Sequence, residues 1–452
     1  MATLSGILRM LRTPFVLTLL TIALAGCSHR SVQPDGSAST CGAIGGLTKR
    51  PLFSLQWIDS GLPLRGQWRD GFQLADLNGD GHVDLIHGPA RKGNFQPNLF
   101  LGDGTGRFKL DMSAHWPPLP FDYGDVAVAD FNRDNVLDVA LSAHLRGVAV
   151  LINEGRNSFA PWSDGLVMTP PSAHPEQPIF GSRAIAAIDW NRDGLVDLLA
   201  TNEGPALGAI DRSTREMLRL YLNRGGFFEQ RDVKNTVSGW ANALAVGDVT
   251  GDRWPEAITG TEAFGNRRLL HIGFGTDLNS QELRSLPEQL AVHAVERVQF
   301  DAESVPSMLF AGQIDQVASG CATLVRTDFQ AGLGDRSQTL WSEPGRDDMV
   351  AVRAADIGGD ARLELLAVHR SGRIRVLVEH PNRRGNATWR TAMVAEPPEP
   401  LRDCQAWQMQ LANIDGDPAS EIVVSYASDG DVTGLGRCPN SGGLAAFNVV
   451  AP

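Results

Sequence analysis

The sequence predicts an all-β protein, a seven-bladed β-propeller, and three observations carry that prediction. An acidic motif recurs along the chain at a period of about 56 residues. Each recurrence is flanked by short alternating apolar segments without helical periodicity. A lone aromatic-led segment precedes the first recurrence and resembles the strand that the last one lacks.

The copies are DLNGDGHVDLI from Asp76, DFNRDNVLDVAL from Asp130, DWNRDGLVDLLA from Asp189, DVTGDRWPEAIT from Asp248, DIGGDARLELLAV from Asp356 and NIDGDPASEIVVS from Asn413. The interval from Asp248 to Asp356 is about twice the others. A degenerate copy around Asp301 (FDAESVPSMLFAG) fills it, keeping the flanking strands and losing the acidic loop. In each copy an alternating strand leads in, as at 125–129 or 242–246. After the acidic loop come a second strand (136–141), a third (98–101, 148–152, 218–222) and a fourth opened by Phe108, Phe159 or Phe228. Four strands per copy, repeated radially, protect their sheet edges by closing a ring. The last copy ends one strand short, after 443–450. The segment LFSLQWI at 52–58 is therefore expected to complete the seventh blade, three strands from the C-terminus and one from the N-terminus, since an incomplete blade leaves an unpaired edge.

These motifs resemble the FG-GAP/VCBS repeats of integrin-α-type propellers and their bacterial relatives, and the resemblance covers residues 51–452. The 452-residue chain is 42% hydrophobic and 20% charged, which excludes wholesale disorder. Its 40 basic against 52 acidic residues leave no positive excess for nucleic-acid phosphates.

The first residues read as an address. Arg9 and Arg12 precede an apolar run at 15–25 that is too short to span a bilayer as a helix. Leu24-Ala25-Gly26-Cys27 resembles a bacterial lipobox. The resemblance implies a signal peptide at 1–26, acylation of Cys27 and a lipid-anchored, exported chain. Ser28 resembles the outer-membrane sorting choice. Residues 27–50, rich in Ser and Gly, are expected to be a flexible tether before a propeller at 51–452. Cys41, Cys321, Cys404 and Cys438 remain for two disulfides. Cys404–Cys438, both in the last blade, is the preferred pair and leaves Cys41–Cys321.

The pattern D-x-[DN]-x-[DN]-G-x-x-D places oxygen ligands at alternate positions of a tight loop, the density a hard cation needs, and calcium is the expected occupant. The assigned ligands are Asp76, Asn78, Asp80 and Asp84; Asp130, Asn132, Asp134 and Asp138; and Asp189, Asn191, Asp193 and Asp197. The carbonyls of His82, Val136 and Leu195 complete these sets. Gly81, Asn135 and Gly194 are expected to take the positive φ of the sharp turn. Weaker sites are expected at Asp248, Thr250, Asp252 and Glu256; at Asp356, Asp360 and Glu364; and at Asn413, Asp415, Asp417 and Glu421.

On the opposite face, Trp68, Tyr123, Trp240 and Trp407 precede their acidic loops and are expected to form an aromatic rim, with inter-blade packing as the competing role. His87, His144 and His369 fall near the ends of second strands, with Glu203 and Glu262 in comparable loops. No nucleophile elbow, phosphate loop or zinc-protease motif is present, so no catalytic residue is assigned. The expected function is a calcium-stabilised binding, adhesion or scaffold module for a protein or glycan. The alternative is a polysaccharide-acting, lyase-like enzyme, which would need a base and charge-neutralising groups at the mouth of the ring.

Overall fold

The computed structural model describes residues 44–46 and 53–450, except 92–94, 163, 167, 170–179, 203–215, 232–240, 262–268, 277, 279, 287–289, 303, 315–319, 330–334, 382–386 and 429–437. Among the described residues the strands form seven antiparallel four-stranded sheets.

The chain opens with β1 (Ser54–Ile58). Blade one is β2 (Phe72–Ala75), β3 (Asp84–His87), β4 (Asn98–Gly102) and β5 (Phe108–Leu110). Blade two is β6 (Val126–Ala129), β7 (Asp138–Ala143), β8 (Gly147–Asn153) and β9 (Phe159–Trp162); blade three is β10 (Ser182–Ile188), β11 (Asp197–Asn202), β12 (Leu218–Asn223) and β13 (Phe228–Arg231). Blade four is β14 (Ala241–Gly247), β15 (Glu256–Thr261), β16 (Leu269–Phe274) and β17 (Ser280–Ser285). The degenerate copy forms blade five, β18 (Ala291–Val298), β19 (Ser307–Ile314), β20 (Cys321–Asp328) and β21 (Arg336–Pro344). Blade six is β22 (Met349–Ala355), β23 (Glu364–His369), β24 (Ile374–Pro381) and β25 (Ala387–Ala395). Blade seven takes β26 (Gln405–Ala412), β27 (Glu421–Ala427) and β28 (Gly442–Val450), and β1 lies beside β28.

The first strand of each blade packs against the first strand of the next, and β26 packs against β2, so the ring is closed. Closure comes from the pairing expected of the sequence: β1 runs antiparallel to β28, from Ser54 opposite Val450 to Ile58 opposite Ala446. Phe53, just before β1, is buried in the core between blades six and seven.

The core is distributed between blades. Seven apolar clusters each join two neighbouring blades, such as Ile86 and Leu99 with Val126 and Val139 between blades one and two. Second strands are therefore covered on both faces, and β7, β11, β19, β23 and β27 are buried at every position. That explains their near-continuous apolar sequences, which alternation alone would not produce.

Hydroxyls reinforce the boundaries. Ser142 Oγ accepts the Asp125 N–H of its own blade and donates to the Arg183 carbonyl of the next. Thr201 Oγ1 repeats this between the Ala184 N–H and the Ala241 carbonyl. Cys404 and Cys438 form a disulfide within blade seven. Cys321 is disulfide-bonded as well; its expected partner Cys41 lies outside the described residues. Ile44 forms an isolated bridge to Ser342 of β21. The expected signal peptide, Cys27 and most of the expected tether also lie outside the described residues, and within those described no helix is long and apolar enough to cross a membrane.

Candidate functional site: acidic loops and an axial pocket

The acidic loops connect first to second strands and share one construction. The opening aspartate turns back on its own loop: Asp76 accepts the Gly79 N–H at 2.7 Å and the Gly81 N–H at 2.9 Å. Asp130 accepts those of Asp134 and Asn135, and Asp248 those of Gly251 and Arg253. The expected positive φ is present at Gly81, Asn135 and Gly194. Arg253 and Ala361 adopt it too, at φ 73° and 62°, so loops four and six keep the turn although their sequences have lost the glycine.

The closing acid is buried and holds the loop to the blade. Asp84 accepts the Leu77 N–H at 3.0 Å and the Gly102 N–H of β4 at 2.9 Å. Asp138 and Asp197 repeat the arrangement with Phe131 and Asn153, and with Trp190 and Asn223. Glu256, Glu364 and Glu421 accept the N–H of Val249, Ile357 and Ile414. Burial pushes Asp84, Asp138 and Asp197 up to about 6, against the backbone donors that lower them and with the charge of Asp80, Asp134 or Asp193 adding to the rise. Burial pushes Glu256 and Glu421 to about 7, again with neighbouring acids adding.

The loops differ in how they gather oxygens. In the first three, the asparagine amide donates to the acid two positions on: Asn78 to Asp80, Asn132 to Asp134 and Asn191 to Asp193. Among the described residues, the acidic trio whose ligand atoms all lie within 4.8 Å of one another is Asp415, Asp417 and Glu421 in blade seven, one of the weaker expected sites. Glu421 Oε1 is buried there and accepts no hydrogen bond, and Asp189 Oδ1 in the third loop is in the same state. An anionic oxygen buried without a donor is the kind of ligand a hard cation satisfies, so these donor sets fit calcium.

Of the expected aromatic rim, Trp68 is core, whereas Tyr123 and Trp407 are half-buried. Trp68 is 7% exposed, packs edge-on against His87 and Phe100, and donates Nε1–H to the Arg65 carbonyl. His87 and His369 are each 1% exposed. The Nδ1 of His87 is bonded to the Gly88 carbonyl and that of His369 to the Asp347 carbonyl. His87 and His369 are thus held inside the packing, while Trp68 also lines a separate pocket with Arg65, Phe100 and Asn440. Tyr123 and His144 stack on each other with ring centres 4.5 Å apart. Trp240, Glu203 and Glu262 lie outside the described residues. Trp407 alone of the described tryptophans lines an axial cavity, and the Arg69 guanidinium covers its ring at 4.0 Å.

That cavity, of about 130 Å³, sits where the inner strands begin, opposite the acidic loops, and every blade contributes to it. A shift of register builds it. The inner-strand pairings of blades three to seven each carry an irregularity, at 182/185, 241/244, 292/294, 349/351 and 406/408. Bulges re-aim side chains, and Arg183, His293 and Trp407 fall within these irregular stretches and line the cavity. Blades one and two supply Asp70, at φ 81°, and Asp125, both just before their strands.

Its charges are paired. Arg183 lies 2.5 Å from Asp70, and His293 Nε2 lies 3.0 Å from Asp348, which Arg370 also holds. Burial raises Asp348, but the hydrogen bonds from His293 and Arg370 outweigh it and hold the carboxyl below its ordinary range. Asp125 accepts the N–H groups of Val126 and Ile185; burial pushes it up to about 6, and Asp70 adds to the rise. Gly71 makes room for it, since a Cβ there would lie 1.4 Å from Asp125 Oδ1. Gly71→Ala should therefore destabilise the fold by about 1–3 kcal/mol, read as a lower urea midpoint with an unchanged slope. The sequence hint to this group was a polar residue near the start of an otherwise apolar inner strand, as in SRAIAAI and AVHAVERV.

Fold and loops together define a seven-bladed β-propeller carrying FG-GAP-like repeats. The FG-GAP-like repeat model matches residues 76–141 and 189–259, which span the first four acidic loops. No curated protein matches the chain at a significant level. Among solved structures, the chain is similar to the crystal structure of BBS1N in complex with ARL6DN, soaked with lead, at 11% identity over 89% of this chain and 98% of that one, with a TM-score of 0.51. The same complex soaked with mercury matches at 14% identity over the same shares, with a TM-score of 0.49.

Proposed function

We propose that this protein is a calcium-stabilised, membrane-tethered binding module of the cell envelope, which engages a protein or glycan partner through the face bearing the axial pocket. The observation that carries the proposal is a polar cavity to which all seven blades contribute, on the face free of acidic loops. A rigid ring presents such a cavity without reorganising, which lowers the entropic cost of binding. BBS1N is described in complex with ARL6DN, which lends support to a protein partner for a fold of this kind.

Calcium would be held by Asp415, Asp417 and Glu421 in blade seven, and by the opening and closing acids of the first three loops. It would supply charge neutralisation and hold the two inner strands of a blade together; no chemistry is routed through it. Lipid attachment at Cys27 would keep the propeller at the outer membrane. Cys27→Ser should move the protein from the membrane to the soluble fraction of a lysed cell, and membrane retention of that variant would exclude the anchor.

The partner is sought by crosslinking on intact cells and by a glycan array. Arg353→Glu, on the pocket wall, should abolish capture in whichever assay is positive, and Asp103→Asn, in a blade-one turn, should not. Capture that survives Arg353→Glu would place the binding surface elsewhere. One observation favours the enzymatic alternative: His293, oriented by Asp348, faces the cavity with Arg183 and Arg353. Release of unsaturated product from a polysaccharide panel, lost in His293→Gln, would support a lyase.

A further inference from the structure

We propose that the first three acidic loops take up divalent cations as one coupled unit, in which occupation of one loop raises the affinity of its neighbours. This rests on the calcium reading above and adds to it a dependence between sites.

The link is a relay of buried hydrogen bonds that crosses two blade boundaries. Asn153 and Asn223 end the third strands of blades two and three and are 2% and 0% exposed. The backbone N–H of each is held by the closing acid of its own loop: Asp138 accepts from Asn153 and Asp197 from Asn223, both at 2.8 Å. The side-chain amide of each crosses to the loop before it. Asn153 Nδ2 donates to the Leu77 carbonyl in loop one at 2.7 Å, and Asn223 Nδ2 to the Phe131 carbonyl in loop two at 2.8 Å. Leu77 and Phe131 give their own N–H groups to Asp84 and Asp138, the closing acids of those loops. Leu77 is thus held on its N–H side by the closing acid of loop one and on its carbonyl side, through Asn153, by that of loop two.

A second contact reinforces the step from loop two to loop three. Arg133 takes φ 63° at a position where loops one, four, six and seven carry Gly79, Gly251, Gly359 and Gly416. Its guanidinium donates to the Gly194 carbonyl of loop three, from Nε at 3.1 Å and from Nη2. A Cβ on Gly194 would lie 2.6 Å from that guanidinium, so this glycine both makes its turn and admits its neighbour. The relay has clear ends. The last residue of the third strand is Gly102 in blade one and Phe274 in blade four, and neither has an amide to send back. It therefore takes in the three loops whose closing acid is an aspartate.

A loop presents its ligands only when its backbone is fixed, and each bond of the relay needs the loops on both sides in place. Fixing loop two sets Asp138, and through it Asn153 and the Leu77 carbonyl; it also presents the Phe131 carbonyl to Asn223. Part of the ordering cost of each neighbour is then already met, which is positive coupling without a change of fold. Coupling of this kind is reciprocal.

The test is hydrogen–deuterium exchange of the whole mature protein, read by mass spectrometry on peptides covering each loop and followed against free calcium. Asp134→Ala removes an exposed ligand from loop two. The calcium concentration for half-maximal protection of loops one and three should then rise about fivefold, the worth of about one hydrogen bond. Loop seven, two blades from the altered site, should keep its midpoint. Asp193→Ala in loop three should raise the midpoint of loop two by the same factor that Asp134→Ala raises that of loop three. In an Asn153→Ala background, Asp134→Ala should no longer move loop one. Arg133→Gly, which gives loop two the residue that four other loops carry, should shrink the response of loop three and leave that of loop one, even if Asn153→Ala folds poorly.

Midpoints of loops one and three that stay put in Asp134→Ala, or that fall as repulsion between cations alone would make them, overturn the coupling while calcium binding stands. Protection that ignores calcium in every loop removes the calcium reading and this inference with it.

Discussion

Chelating calcium at pH 7.5 should lower the melting temperature of this protein by on the order of 5–10 °C. Weak extracellular-type sites have dissociation constants of about 10⁻⁴ M, and a hundredfold excess of ion contributes about 2.7 kcal/mol per site. The effect should depend on pH in a definite direction. The closing acids sit at about 6 in Asp84, Asp138 and Asp197, and at about 7 in Glu256 and Glu421. Without metal, the folded chain holds protons that the unfolded chain releases near pH 4, so the stability these acids contribute is greatest at low pH and is lost as pH rises through these values. Bound calcium would replace those protons. The gap between loaded and chelated melting curves should therefore be small at pH 5 and widest above pH 7. Superimposable curves at pH 7.5 would exclude calcium as a structural ion.

Deleting residues 53–58 should be more damaging still. The deletion removes β1, exposes the outer edge of β28 along its whole pairing, and strips Phe53 from the core between blades six and seven. Loss of the Phe53 side chain alone is worth about 3–5 kcal/mol, so Phe53→Ala should already reduce the urea midpoint markedly. The full deletion leaves an unpaired strand edge, which recruits another chain. Dimers or larger species on size-exclusion chromatography are the expected result, and a stable monomer with wild-type melting behaviour would contradict the role of β1 as the closing strand.

Much of this architecture was legible in the sequence because the repeat is a physical unit. The aspartate spacing reported the turn, the flanking apolar runs reported the strands, and LFSLQWI reported the closure by resembling a fourth strand. The loops were legible to the level of a single dihedral, as at Asn135. The axial pocket was not. It depends on irregularities in the inner-strand pairings, which change where a side chain points without changing the composition of the strand. Trp68 and Trp407 illustrate the difficulty. Both precede an acidic loop by a similar distance, yet one is packed against His87 and the other reaches the axis. His87 and His369 end second strands that are buried at every position, so neither opens onto a loop surface.

Strand length varies around the ring in a way that bears on its mechanics. Blade one has strands of 4, 4, 5 and 3 residues, whereas blade five, whose loop has lost the acidic pattern, has strands of 8, 8, 8 and 9. Long ladders give blade five many more paired backbone groups than blade one, whose short strands depend more on their loops. In an ion-poor medium amide exchange should accelerate first in the sector around residues 72–110, while that around 291–344 stays protected. The circle would then loosen from one arc, so that its rigidity would follow the salt composition of its surroundings rather than vanish outright.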